Sequence, residues 1–358
     1  MALLILAGVT CSISPAEQKP EEKIRILVVS SYHPGYRWSQ ETTKGFCAAM
    51  LKFGYFDREE QIDEFTKNDA IETPQVIVRK FWLDAKRKGD KSDMEARSLH
   101  IFGIAKQFRP DLLFLGDDDA VNYLGSKFLD ADIPVVFWGV NNTPVKYGLV
   151  EQAGRPGHNV TGVYQSGYYL ESLQFLKRVV PAVKTFAVLS DATASGRSHY
   201  KQLEYLARNG LLPLKLVDTV STNDFETWKA KALELQKKVD AFFVAQYSSL
   251  KDRKGEYVPP AEVARWYGEH ITIPETAEQR QFVEEGMLCG ADDSGYNQAY
   301  EAVAVAHDIL RRGARPATYA PRAPKRGALM VNAKRAAALG INLTPDMGIE
   351  EIIDGEAR

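Results

Sequence analysis

Cysteine is scarce in this chain: there are three in 358 residues, at Cys11, Cys47 and Cys289, and no C-x-x-C pair. That excludes a small disulfide-stapled fold and the usual zinc or redox spacings. Neither sign of charge dominates, with 45 Lys and Arg against 47 Asp and Glu for a net charge of -2, which removes the sequence-wide electrostatic case for a nucleic-acid partner. No apolar run reaches the roughly 20 residues of a membrane-spanning helix. Also missing are a G-x-S-x-G elbow, a Walker loop, a G-x-G-x-x-G after a strand, and an H-E-x-x-H pair, so no catalytic residue, metal ligand set or cofactor is expected. What remains is an ordinary globular composition, 45% hydrophobic, in a chain long enough for two domains.

The first residues run from an apolar stretch, Ala2–Val9, through small residues into a charged segment containing proline. This order matches a secretory signal lacking its basic start, and residues 1–16 are expected to direct export. Two exits are open: cleavage after Ala16, or lipid attachment at Cys11, which Gly8, Val9 and Thr10 fit poorly. Cys47 and Cys289 sit in apolar segments and are expected to be buried thiols.

From Ile24 onward, short β-branched runs alternate with longer amphipathic stretches, the pattern of parallel sheets covered by helices. Strands are expected at Ile24–Ser30, Asp111–Leu115, Ile133–Val140, Thr185–Leu189, Pro213–Val217 and Ala241–Ala245. Apolar positions recurring every three or four residues place helices at Trp38–Phe53, Asp93–Gln107, Tyr169–Val179, Ser198–Asn209, Phe225–Lys238 and Gln298–Arg311. Asn141–Val163, rich in Gly, Pro and Asn, marks the approach to a domain boundary. The basic, Pro-rich stretch Arg311–Arg326 is taken as a solvated connector rather than an anion or membrane patch.

In parallel sheets ligands bind beyond the carboxyl ends of strands, so the turns there carry the chemistry. The first, from Ser30 and Ser31 to Trp38, holds Tyr32, Tyr36 and Trp38, which either stack on a ligand or anchor the loop. Asp117, Asp118 and Asp119 follow the second strand. A metal site, recognition of an ammonium group and helix capping compete there, and capping plus one ligand contact is preferred, because the run lacks alternating ligand spacing. Asn141 offers an amide in the next turn. The turn from Asp191 through Ser195 and Arg197 leads a strand into a helix and would cradle a carboxylate or phosphate, or simply be an N-capped surface turn. Gln246 and Tyr247, Thr276, and Asp292 add polar groups in later turns. The six histidines are scattered, and each is taken as structural.

With these turns assembled, the chain resembles the substrate-binding proteins of ABC importers with the type I periplasmic-binding-protein fold. The stretches that carry the resemblance are SSYHPGYRWSQ, PDLLFLGDDDAVNYL, DIPVVFWGVNN, NVTGVYQ, VDAFFVAQYSS, GMLCGADDSGYNQAYEAVAVAHDIL and APKRGALMVNAKRAAALGI. The resemblance implies an α/β fold of two Rossmann-like lobes with parallel sheets, joined by three hinge crossings. Residues 24–164 plus 286–317 would form the first lobe, and 165–285 plus 318–358 the second. It adds Tyr164 and Gln165 to the site and leaves Phe65–Ser98 as a long charged insertion. Some related proteins bind amino acids. That would suit Asp117 or Asp118 for an ammonium group, Ser195 for a carboxylate, and Tyr32, Tyr36 or Trp38 for a side chain.

The expected function is that of a monomeric, exported, non-enzymatic protein that captures a small polar solute, most simply an amino acid, and delivers it to a membrane permease. The competing readings are a ligand-sensing module for a membrane kinase or receptor, and an Asp-dependent hydrolase or phosphatase built on Asp117–Asp119. Transcription regulators that share the fold carry a helix-turn-helix where this chain has its apolar leader.

Overall fold

The computed structural model describes residues 22–141 and 144–354; the leader with Cys11 and Ala16, and the segment 355–358, lie outside the described residues. The chain opens with β1 (Ile24–Ser30), whose residues 26–30 are all buried, as a strand covered on both faces must be. After it come α1 (Arg37–Lys52), α2 (Glu60–Asn68), β2 (Ala70–Glu72), β3 (Val76–Trp82), α3 (Lys91–Phe108), β4 (Leu112–Gly116), α4 (Asp117–Leu124), β5 (Val135–Val140) and β6 (Val160–Tyr164). The strands form one sheet in the order β2-β3-β1-β4-β5-β6, parallel except for the edge strand β2.

The chain then crosses to a second layer: α5 (Tyr169–Val179), β7 (Thr185–Ser190), α6 (Ala194–Arg208), β8 (Lys215–Ser221), α7 (Phe225–Leu235), β9 (Ala241–Val244), α8 (Pro260–His270), β10 (Glu275–Ala277), α9 (Arg280–Glu284) and β11 (Cys289–Ala291). It returns to the first lobe as α10 (Gly295–Arg312), packed along α1, and crosses once more to β12 (Leu329–Asn332), α11 (Ala333–Ala338) and β13 (Glu351–Ile353). The second sheet runs β13-β12-β11-β10-β9-β7-β8, with only the β11–β12 pair antiparallel. Among the described residues no helix is long and apolar enough to cross a membrane.

Each sheet has a core on both faces. In the first lobe Phe46, Phe114 and Trp138 pack under α1 and α10, while Met94, Ile101, Phe108 and Leu124 fill the opposite face under α3 and α4. In the second lobe Trp228, Tyr267 and Phe282 lie beneath α7 to α9, and Leu173, Phe175 and Leu203 beneath α5 and α6. Gly45 lets α1 and α10 touch: a Cβ there would fall on the Tyr296 carbonyl oxygen. Cys47 and Cys289 are buried free thiols, one in each lobe, and burial pushes the Cys47 thiol up to about 12.

Three expectations change. Phe65–Ser98, expected as a charged insertion, builds part of the first sheet: β3 lies beside β1 along its whole length, and charged residues lie on β2, on β3 itself, where Lys80 is buried, in the flanking turns and on α3. The strand expected at Pro213–Val217 begins later and runs to Ser221, on an outer edge where apolar residues are sparse. The return to the first lobe was placed at Gly286, but β11 pairs with β10 and β12 in the second sheet, so the crossing follows Ala291.

One buried ion pair ties the second lobe together. Arg335 Nε and Nη2 donate to Glu275 Oε1 and Oε2, each at 2.9 Å, and Nη2 also donates to the carbonyls of Ile271 and Ile273. Arg335→Leu strands a buried carboxylate and is expected to lower stability by about 3–5 kcal/mol. The double variant Glu275→Met/Arg335→Met should recover most of that loss, as urea unfolding of the three proteins would measure.

Candidate functional site

The carboxyl ends of both sheets face each other across a narrow cavity. The first lobe lines it with Tyr32, Tyr36 and Trp38 after β1, Asp117 after β4, Asn141 after β5 and Gln165 after β6. From the second lobe come Ser195 and His199 on α6, Gln246 after β9 and Gln279 after β10. This is the position parallel α/β topology reserves for ligands, here doubled because two sheets share one opening.

Direct bonds join the lobes around the cavity. The Tyr36 hydroxyl donates to Ser248 Oγ (3.1 Å) and accepts from Gln281 Nε2 (2.8 Å), and the Trp38 backbone N–H donates to Gln281 Oε1 (3.2 Å). Ser198 Oγ donates to the Asn141 carbonyl at 2.9 Å, and Arg37 pairs with Glu284 at 2.8 Å.

The aromatic turn is anchored by its own rings. Tyr32, Tyr36 and Trp38 are buried together, the two tyrosine rings meeting edge to face at 5.1 Å, and all three border the cavity. Lys86 Nζ lies 4.7 Å from the Tyr32 ring centroid, buried and without a hydrogen-bond partner among the described residues.

Asp117 is the most constrained of the group. It is 2% exposed and sits at φ 69°, in the left-handed region, where aspartate is tolerated but strained. Trp38 Nε1 donates to its Oδ1 at 2.7 Å, and Gly139, at φ 66°, leaves the room that Oδ1 occupies, since a Cβ there would collide with it. Burial drives the Asp117 carboxyl well above the ordinary carboxylate range; the Trp38 bond and Lys86 pull the other way, while Asp118 adds to the rise. Asp119 is pushed up to about 6 by burial and by Asp118.

The remaining expected residues divide by what they touch. Ser31 Oγ donates to the Gly116 carbonyl and accepts from Ala120 N–H, so it holds the turn that carries Asp117. Asp118 faces away, accepting from the Asn141 backbone and side-chain N–H groups and from the Tyr147 hydroxyl. It thereby orients Asn141, whose Oδ1 has no partner among the described residues, as has Gln165 Oε1. Asp191 is buried behind the start of α6, accepting from Thr193, and Arg197 is exposed with its guanidinium on the Ala192 carbonyl. The Tyr247 hydroxyl donates to Glu285, and Thr276 Oγ1 bonds to the Ser172 and Cys289 carbonyls inside the core. Tyr164 gives its carbonyl to Gln298, and Asp292 accepts from Arg280 at a crossing. None of these eight lines the cavity.

Two lining residues went unexpected. Gln279 follows the three-residue strand β10, too short to stand out in the sequence. His199 lies on a helix and resembles any other scattered histidine until the fold brings it against Glu278, their nearest atoms 2.6 Å apart. Among the described residues no group of three or more His, Cys, Asp or Glu could hold a metal ion.

Two α/β lobes meeting over a polar and aromatic cavity define a two-lobed solute-binding architecture. The family described as ABC transporter substrate binding protein matches residues 100–350, and the chain belongs to it. Proteins of this family bind substrates outside the cytoplasm. No curated protein matches the chain. Among solved structures it is similar to the ABC domain from Streptococcus pneumonia in complex with L-Trp, at 19% identity and TM-score 0.69 over 92% of this chain and 100% of that one. It is also similar to the ligand-free, open CD0873 of Clostridium difficile, a substrate binding protein with adhesive properties (20%, TM-score 0.66, 93% and 100%), and to a conserved domain protein from Vibrio cholerae (17%, TM-score 0.70, 92% and 100%).

A raised carboxyl pKa means that the folded state holds the proton more tightly than the unfolded chain, whose aspartate titrates near 3.9. The burden of ionising Asp117 therefore grows as pH rises above about 4. The isosteric Asp117→Asn, which still accepts from Trp38, is expected to raise the melting temperature of the ligand-free protein at pH 7.5 by about 2–4 °C, the equivalent of roughly 1 kcal/mol. The gap should close toward pH 4 in paired thermal melts.

Proposed function

We propose that this protein is an exported, non-enzymatic receptor that encloses one amino-acid-sized solute between its lobes and presents it to a membrane permease. The observation that carries this reading is the cavity itself, whose wall combines three aromatic rings, a buried carboxyl and amide oxygens with no partner among the described residues. A cationic group would find Asp117, whose ionisation it would stabilise in place of lost water. Tyr32, Tyr36 and Trp38 would cover an apolar or aromatic side chain, with Asn141, Gln165 and Gln246 bonding to its polar atoms. The L-Trp bound by the Streptococcus pneumonia protein belongs to the same chemical class.

Enclosure from both sides gives the signal a permease needs, because solute contacts with both lobes favour the state in which they touch. In that state the protein acts as a monomer, the surface around the cleft being left for the permease. The carboxylates of Asp117 and Asp118 point to different partners, Trp38 and Tyr147, which gives no shared centre for hydrolysis.

Calorimetric titration with the twenty L-amino acids at pH 7.5 tests the reading. At least one is expected to bind with micromolar affinity or better, and Asp117→Asn should weaken it by about tenfold or more, or 1.4 kcal/mol. Absence of binding by every amino acid, with sugars or nucleosides binding instead, refutes it.

A further inference from the structure

His199 stands one helical turn beyond Ser195, on the same face of α6, and is 0% exposed. Its Nδ1 edge is taken: Glu278 Oε1 lies 2.6 Å away and the Tyr169 hydroxyl 2.9 Å away. Its Nε2 atom, on the opposite edge of the ring, has no partner among the described residues, and the residue borders the cavity. A buried imidazole nitrogen left without a partner in a cavity wall is a site for a ligand atom.

The charge of this ring is set by what surrounds it. Burial works against protonation, and the Glu278 carboxylate overrides it, aided by Asp118 on α4 and Asp293 at the second crossing, so the pKa of His199 is raised. Tyr169 on α5, its own hydroxyl kept neutral by burial, completes the set of titratable groups against the ring. With a proton on each nitrogen, the Nδ1–H side faces Glu278 and the Nε2–H side is left to donate.

The start of α6 is less suited to an anion than its sequence suggests. Thr193 Oγ1 already accepts from the Gly196 N–H at 3.1 Å. The buried carboxylate of Asp191 lies directly against Thr193, accepting from its backbone N–H and hydroxyl. A second carboxylate brought there would face the first. One turn further on, the wall offers a cation.

We infer that His199, held from behind by Glu278, is the second-lobe residue that receives the solute's carboxylate, with the Ser195 hydroxyl as the neighbouring donor. The inference rests on the amino-acid reading above and deepens it: the cavity carries a carboxyl for an ammonium group on one lobe and an imidazolium for a carboxylate on the other. Such a wall selects a zwitterion over its amide or ester. Glu278 is a positioning residue, acting on the solute through the imidazole alone. Because the pKa of His199 is raised, affinity for the carboxylate is present at low and neutral pH and falls as pH rises through that value.

The test compares L-tryptophan, L-tyrosine and L-phenylalanine with their carboxamides by calorimetry from pH 5.5 to 9, in the wild-type protein, His199→Gln and Glu278→Gln. In the wild type the acid that binds should exceed its carboxamide by about tenfold or more, and His199→Gln should erase that preference, leaving acid and carboxamide within about twofold of each other. Glu278→Gln should shift the loss of acid affinity to lower pH, with recovery at pH 5.5. In parallel, ¹⁵N NMR of the ligand-free protein follows the imidazole itself, assigned by its disappearance in His199→Gln. A titration midpoint above the ordinary 6.5 that falls in Glu278→Gln supports the pairing, and a midpoint at or below 6.5 in the wild type overturns it. An acid that binds no better than its carboxamide, or a preference that survives His199→Gln, overturns the inference and leaves the amino-acid reading standing. If none of the three acids binds, the comparison uses whichever of the twenty L-amino acids does, and if none binds at any pH the inference falls together with its premise.

Discussion

Two adjacent carboxyl groups, Asp292 and Asp293, stitch the three crossings that hold the lobes in register. Asp293 Oδ2 accepts from Gly167 N–H at 2.8 Å on the first crossing, and Oδ1 accepts from Gln298 at 3.1 Å at the base of α10. Gln298 in turn reaches the Gly139 N–H and the Tyr164 carbonyl, both in the first lobe. Asp292 exchanges backbone bonds with Gly327 and Ala328 on the third crossing, and its side chain accepts from the Arg280 backbone. Gly327 is required there, because a Cβ would overlap the Asp292 carboxyl. Burial raises both carboxyls to about 7, an energetic burden that the converging donors offset. These bonds tie the crossings to one another and to the base of α10.

The cavity inherits its properties from that junction. The Glu278 backbone carbonyl accepts the Asp293 N–H at 2.7 Å while its carboxylate lies beside His199, so one residue joins the crossing to the cavity wall. Across the opening, Asp117 is fixed by Trp38, and the turn beneath it by Ser31. Both walls are therefore built from side chains whose orientation is settled before a solute arrives, which limits the ordering that binding must accomplish. The lobes also meet directly where Tyr36 bonds to Ser248 and Gln281, and Arg37 pairs with Glu284.

Much of this was legible residue by residue. The helix over Tyr169–Val179 and the strand over Ile24–Ser30 occur as expected, the one because its buried positions recur at helical spacing, the other because it is a short continuous apolar run. The short strands β10, β11 and β13 did not announce themselves, since three residues hold no period; they exist because neighbouring strands supply their hydrogen bonds. Turn chemistry singled out Tyr32, Tyr36, Trp38, Asp117, Asn141, Ser195 and Gln246, and the family resemblance added Gln165, all of which line the cavity. Turn chemistry equally singled out Asp118, Asp191, Asp292 and Tyr247, whose side chains turn toward protein partners. A turn residue and its neighbour share a place in the chain but point opposite ways, and only packing says which faces the opening.

By itself, then, the order of residues determined the α/β class, the principal strands and helices and the chemical character of the turns, because these depend on local periodicity and side-chain chemistry. The tertiary structure alone decided that Phe65–Ser98 builds sheet, that the second crossing follows Ala291, and that His199 belongs to the cavity. Each of these rests on contacts between segments far apart in the chain: β3 against β1, β11 against β12, and an imidazole against a glutamate 79 positions away.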